Sequence, residues 1–247
     1  MSLFAIGDLH LPGGEDKPMN VFGSGWDRHF ERISDAWRAD VTEKDTVLIP
    51  GDISWAMRLE DALPDLEAIS LLPGRKVLIR GNHDYWWSSI SRIRGLLPPG
   101  MIALQNDAAD LEEAVVCGSR GWMIPTEDTP LDPENLKIYQ RELQRLRLSL
   151  EAGKRMAAGR PLIAMLHYPP LYARERSSGF TDLLEEYGVS QCVYGHLHGN
   201  GIRAAWNGPE RGVTYHLTSC DSLDFKPVRL MQEPGMPGAY QNGAAEN

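Results

Sequence analysis

Five histidines and several carboxylates stand where short apolar runs stop, and this placement is the first chemical signal in the sequence. Residues 3–6 lead into Gly7-Asp8-Leu9-His10, Val47-Leu48-Ile49-Pro50 into Gly51-Asp52, and Val77-Leu78-Ile79-Arg80 into Gly81-Asn82-His83-Asp84. Cys192-Val193-Tyr194 leads into Gly195-His196-Leu197-His198, and residues 162–166 end at His167. Near a strand terminus, residues i and i+2 point to one side, so Asp8 can converge with His10, and His196 with His198. Glycines ahead of these groups let the backbone turn sharply and leave room for ions. A lone D-x-H or H-x-H is commonly a hydrogen-bonded surface feature. The ordered set is a supply of nitrogen and oxygen donors without thiolate, which suits Mn²⁺, Fe²⁺/Fe³⁺ or Zn²⁺.

Chemistry spread over five runs needs a scaffold that brings their ends together. Residues 3–6, 46–49, 76–79, 114–117, 162–166 and 191–194 read as strands buried on both faces. Between them lie helical periods. Trp26, Phe30, Ile33 and Trp37 share one face, with Ser24 as a possible cap. Leu66, Ile69 and Leu72 suggest a shorter helix with Pro64 near its start. The longest helix is predicted over 134–158, entered through Asp132-Pro133-Glu134, with Leu136, Tyr139, Leu143, Leu146 and Leu150 as its stripe and Arg141, Arg145 and Arg147 on a solvated face. Strands alternating with helices imply an α/β layered fold, in which ligands bind beyond the carboxyl ends of strands. After about residue 202 the pattern changes to short β pieces, 214–217 and 228–230. A single domain is expected over 1–231. The Gly-, Pro-, Ala- and Asn-rich stretch 232–247 is expected to be a mobile tail.

The order D-x-H, G-D, G-N-H-D, H, G-H-x-H resembles the calcineurin-like metallophosphoesterase superfamily over residues 8–198. That resemblance implies an α/β (α+β) four-layer αββα sandwich of two face-to-face mixed β-sheets with helices outside. It implies two metal ions: Asp8, His10, Asp52 and His198 on the first, Asn82, His167 and His196 on the second, with Asp52 bridging. His83 would face the leaving group, oriented by Asp84. Gly51-Asp52-Ile53-Ser54-Trp55 and the Tyr85-Trp86-Trp87 extension are similar to a bacterial subgroup of phosphohydrolases. Of the seven implied ligands only Asp8 and Asp52 are anionic. Two divalent ions would therefore keep a local surplus of about two positive charges, which a phosphate ester and a hydroxide neutralise. The expected reaction is in-line attack by a metal-bridging hydroxide, with His83 protonating the departing alkoxide.

The composition sorts the substrates. A net charge of −9 without a basic run argues against a polynucleotide or an anionic membrane surface, so a nuclease is the weaker enzymatic reading and a small phosphoester the stronger. A non-catalytic scaffold of the same fold would have no need to keep every ligand. No apolar run reaches the ~20 residues of a membrane helix. No signal peptide is visible, and Cys117, Cys192 and Cys220 are too far apart for a thiolate zinc site. The expected setting is cytoplasmic, with three neutral buried thiols. Arg120, in Gly118-Ser119-Arg120-Gly121-Trp122, offers either a bidentate grip on phosphate or a salt bridge. His29 and His216 fall outside the motifs and are expected in ordinary hydrogen bonds. Trp55 and the 85–87 aromatics are expected in core packing or in a pocket wall. The irregular segments 11–25, 121–133 and 168–179 are the places where substrate choice would be made.

Overall fold

The fold was analysed in a computed structural model, which describes residues 1–14, Met19, 23–126 and 129–230. The expected tail and parts of two expected specificity loops lie outside these residues. The described residues form eleven strands and five α-helices: β1 Leu3–Ala5, α1 His29–Asp40, β2 Thr46–Ile49, α2 Leu59–Ser70, β3 Arg75–Leu78, α3 Ile90–Leu96, β4 Met101–Ala103, β5 Ala108–Asp110, β6 Val115–Ser119, α4 Pro133–Ala157, β7 Leu162–Leu166, α5 Gly179–Glu186, β8 Gln191–Tyr194, β9 Gly208–Glu210, β10 Val213–Leu217 and β11 Val228–Arg229. One sheet has the order β11-β1-β2-β3-β4 and the other β5-β6-β7-β8-β10-β9. Both are mixed: β1 to β4 run parallel with β11 antiparallel at the edge, and β6, β7, β8 and β10 run parallel between antiparallel β5 and β9.

Alternation along the strands explains the layering. Phe4, Val47 and Ile49 pack outward against Ile33 and Trp37 of α1, Leu66 of α2 and Ile93 of α3. Their neighbours Leu3, Ala5 and Leu48 point the other way and meet Val116, Ile163, Met165 and Val193 of the second sheet. On the far side, Val115, Ala164 and Tyr194 pack under Leu146 and Leu150 of α4 and Phe180 of α5. Three apolar cores separate four layers, helix–sheet–sheet–helix, as the resemblance implies.

Local differences from the sequence reading have local causes. Trp26 belongs to a separate 3-10 turn, Ser24–Trp26, and α1 starts at His29 behind Arg28 in left-handed backbone, so Ser24 is not at its cap position. Helix α2 begins one turn earlier than expected because Leu59 and Ala62 also reach the core; Pro64 therefore lies inside it. Helix α4 starts as predicted, with the Asp132 side chain accepting from the Glu134 and Asn135 amides. Its buried stripe is Tyr139, Leu146 and Leu150, joined by Glu142, Ser149 and Gly153, while Leu136 is exposed.

The two sheets also touch through backbone. Gly7, just past β1, bridges Ser219, just past β10: the Gly7 amide donates to Thr218 O (2.7 Å) and the Cys220 amide to Gly7 O (3.1 Å). This stitch lies one residue before Asp8.

Candidate metal centre

The strand-end groups converge. Asp8 follows β1, Asp52 follows β2, Asn82 and His83 follow β3, His167 follows β7, and His196 and His198 follow β8. Asp8, His10, Asp52 and His196 all have left-handed backbone, with φ of 56°, 45°, 50° and 74°. That conformation is uncommon outside glycine and costs on the order of 1–3 kcal/mol per residue; cross-links hold it here. The Asp8 amide donates to Gly51 O and the His10 amide to Asp52 O, both at 3.0 Å. Gly81 and Gly195 are spacers of the kind the sequence suggested, since a Cβ on the first would strike Asp52 and on the second the Asp8 carboxylate.

Ligand atoms of Asp8, His10 and His198 lie within 4.8 Å of one another, and so do those of Asp8, Asp52 and His167. His10 Nε2 faces His198 Nε2 at 3.3 Å and lies 3.8 Å from Asp52 Oδ2. On the other side, Asn82 Oδ1 sits 2.6 Å from His167 Nε2 and 2.9 Å from His196 Nδ1, and these two nitrogens are 3.3 Å apart. Asp52 stands between the two sets, its Oδ2 also 3.5 Å from His167 Nε2. All seven residues implied as ligands thus meet in one cluster.

The donor set fits divalent ions. Burial lowers the imidazoles of His10 and His196 to about 3, and that of His167 likewise falls, which favours the neutral ring that ligates metal. Burial also raises the Asp52 carboxyl well above its usual range, and the nearby Asp84 and Asp8 push it further. Buried carboxylates crowded in this way call for a cation. Burial opposes charge on His198 too, but hydrogen bonds to Asp221 and Asp8 outweigh it and raise the ring to about 10.

Asp221 was not among the residues picked out from the sequence. Its Oδ1 is 2.9 Å from His198 Nδ1, and its Oδ2 accepts from the Gly199 amide at 2.9 Å. A signal was present, since Asp221 lies four residues beyond the apolar run 214–217, the same context as the other ligands. His167 is anchored similarly, with Nδ1 3.1 Å from Pro50 O.

His83 sits at the edge of the cluster. Its amide donates to Asp52 Oδ1 at 2.8 Å, and its Nδ1 is buried without a hydrogen-bond partner. Asp84 acts through the backbone: Oδ1 accepts from the Ile53 and Ser54 amides and the Trp86 indole, and Oδ2 from the Gly81 amide. It fastens the Asp52 loop to the Asn82–His83 loop. None of the hydrogen bonds it makes among the described residues goes to the His83 ring.

Trp55 stacks on His10 (4.9 Å, 22°) and lies 4.5 Å from the His83 ring, which makes it a pocket wall. With Met19, Trp26, His198 and Gly199 these rings line a cavity of about 270 Å³. Trp86 and Trp87 are core residues, and Tyr85 is exposed. His29 and His216 take the ordinary roles expected, near Leu9 O (2.9 Å) and Gln191 Oε1 (3.1 Å). Arg120 stands apart from this cavity: Nη2 lies 3.5 Å from the buried Glu142 and its guanidinium 4.6 Å over Trp122. Cys117, Cys192 and Cys220 are buried free thiols. Among the described residues no helix is long and apolar enough to cross a membrane.

Buried carboxylates, neutral imidazoles and an amide oxygen at the carboxyl ends of two facing sheets are the apparatus of a metal-binding hydrolase. The chain belongs to the calcineurin-like phosphoesterase family, whose model matches residues 1–200. A search of curated protein sequences found no match. Among solved structures the chain is similar to the phosphopantetheinyl hydrolase PptH from Mycobacterium tuberculosis, with a TM-score of 0.52 and 13% identity over 96% of this chain and 98% of that one. It is also similar to the protein of unknown function AQ665 from Aquifex aeolicus, with a TM-score of 0.45 and 14% identity over 92% and 95%. The first of these likenesses supports the shared sandwich fold.

Proposed function

We propose that the protein hydrolyses a small phosphomonoester or phosphodiester with two divalent ions, of which Mn²⁺, iron and Zn²⁺ all suit the donors. The observation that carries this reading is that two ligand sets, Asp8/His10/His198 and Asp8/Asp52/His167, share buried carboxylate in one cluster. Asp8, His10, Asp52 and His198 would hold one ion, and Asn82, His167 and His196, with Asp52 shared, would hold the other. Bound there, the ions supply an acidified water and positive charge for the phosphoryl oxygens. The chain's own residues do the rest. His83 sits beside the cluster, where its half-buried ring can pass a proton to the departing oxygen. Burial lowers its pKa first, and the neighbouring His167 adds to the effect. Asp84 keeps His83 and Asp52 in register. The Trp26–Trp55 cavity beside His83 has room for one substituent of an ester, which favours a small substrate over a polynucleotide. A cytoplasmic setting agrees with the three free thiols.

The test is turnover of p-nitrophenyl phosphate and bis-p-nitrophenyl phosphate by chelator-stripped protein, with Mn²⁺, Zn²⁺ or Mg²⁺ restored singly. Activity that returns with metal and is abolished in Asp52→Asn supports the reading, and the preferred ester separates mono- from diesterase. Stoichiometric metal binding without turnover of any ester would favour a scaffold. Failure to bind metal would refute the assignment.

A further inference from the structure

A second cleft lies at the same end of the sheets as the metal cluster, about 230 Å³ in volume. Arg80, Arg120, Arg145, Glu142 and Gln105 are among its lining residues. Arg80 is two residues beyond β3 and two before Asn82; Arg120 directly follows β6, and its carbonyl accepts from the His167 and Tyr168 amides at 3.1 and 3.0 Å. Arg80 thus shares a segment with Asn82 and His83, and Arg120 is tied through its backbone to the His167 segment, yet both line a different space.

The charge in this cleft is unbalanced. Guanidinium stays protonated in proteins, so three arginines bring three fixed positive charges. The one carboxylate lining it, Glu142, is buried: Oε1 accepts from Arg145 Nη1 at 2.7 Å and lies 3.5 Å from Arg120 Nη2 and 3.7 Å from Arg141 Nε, while Oε2 has no partner. Arg80 makes no hydrogen bond or ion pair among the described residues, and Nε atoms of both Arg80 and Arg120 are buried without a partner. Burial lowers the Arg120 guanidinium, Glu142 opposes that, and the facing charge of Arg80 adds to it. Gln105 Oε1 accepts from the Trp87 indole (3.0 Å), which leaves its amide NH₂ as a further donor. Half-buried guanidiniums that outnumber the carboxylate beside them, with donors unspent, are placed for a multidentate anion. The solvated helix face expected for Arg145 is therefore only part of its setting.

We propose that the Arg80–Arg120–Arg145 cleft is an anion-binding subsite, separate from the metal centre, that takes a second phosphate group of the substrate. The proposal rests on the hydrolytic reading only for the source of that phosphate. The subsite itself stands on the arginine geometry.

Two arms test it. In the first, inorganic phosphate is titrated calorimetrically into chelator-stripped full-length protein at low ionic strength, where the metal centre holds no ion to attract it. The wild type should bind one equivalent saturably. Arg80→Gln should weaken binding about ten- to a hundredfold, the span expected for charge-assisted hydrogen bonds, and Arg145→Gln should weaken it too. Arg80 has no protein partner to lose, so its variant should melt with the wild type, and Arg145→Gln provides a second reading. In the second arm, with Mn²⁺ restored, the ratio of KM for adenosine 5′-monophosphate to KM for adenosine 3′,5′-bisphosphate should fall about tenfold or more in Arg80→Gln. Absence of saturable phosphate binding, or binding equal in wild type and both variants, overturns the subsite. Binding that behaves as expected with an unmoved KM ratio overturns the substrate as the source and points to free phosphate. If neither ester is turned over, the binding arm alone decides the subsite and the failure falls on the hydrolytic reading.

Discussion

His198 reaches the proposed metal centre with its outer nitrogen 2.9 Å from Asp221 Oδ1. A carboxylate behind a ligating imidazole sets the ring's tautomer and orientation, and removing such partners typically costs about 10–100-fold in metal affinity. Asp221→Asn should weaken the ion held by Asp8, His10 and His198 by that factor in a metal titration, while far-UV circular dichroism stays that of the wild type. At His83 the expected loss is in rate. His83→Ala should lower kcat by about 10²–10⁴ with stoichiometric metal binding retained, and loss of an ion would instead make His83 a ligand. The proposed ligands stand out in the sequence because each follows the end of an apolar run, so type and position both mark them. Asp221 escaped because three residues separate it from the end of β10, and its contact with His198 becomes visible only when β8 and β10 lie side by side. Arg80 and Glu142 escaped for a related reason: what distinguishes them is shared burial, which spacing does not record.

Elements are held to the sheets by a few specific contacts. Gly153 lets α4 lie close on β6 and β7, since a Cβ there would collide with Cys117 Sγ and meet Leu162 Cδ1 at 2.9 Å. Alanine gains about 1 kcal/mol of helix propensity over glycine, but overpacking a filled core costs about 1–3 kcal/mol. Gly153→Ala should therefore lose up to about 2 kcal/mol in urea unfolding, whereas a gain would show that α4 can lift away freely. On the opposite face, the buried Lys76 of β3 donates from Nζ to the Ser70 and Leu72 carbonyls at the end of α2. Lys76→Met strands those carbonyls and should cost about 1–3 kcal/mol; an unchanged midpoint would mean that water replaces the ammonium. Strands β2, β7 and β8 follow from the sequence residue for residue, being short apolar runs bounded by turn residues. The three-residue strands β4, β5 and β9 are too short to show a period, and their pairing comes from the neighbouring strand. Helix α5 was overlooked although Ser178 and Thr181 form a capping box at its start, because its apolar face spans only two turns.

For the molecule as a whole, an ion bound by the folded state alone stabilises it by mass action, about 2.7 kcal/mol at one hundred times its Kd. In a chain of this size that corresponds to roughly 5–10 °C in Tm. Chelation should lower Tm by this amount and Mn²⁺ should restore it in the wild type but not fully in Asp52→Asn; an equal recovery in both would place the stabilising ion elsewhere. The layered α/β fold was legible in the apolar runs alternating with helical periods, and the four layers came with the family resemblance, whereas the strand order across each sheet was not legible. The middle core has a further consequence. Asp8, Asp52 and Asn82 ride on one sheet, and His167, His196 and His198 on the other, with the Gly7–Ser219 stitch as a fixed point beside Asp8. The centre is thus a caliper whose jaws are two sheets roughly 10 Å apart. Ala5, Ala109, Ala114, Ile163 and Met165, which never meet substrate, set its gauge. A slide of one sheet over the other enters the spacing of the jaws directly. Inherited variation in this layer should therefore conserve volume more strictly than in the two outer cores, where a helix can shift without moving the jaws.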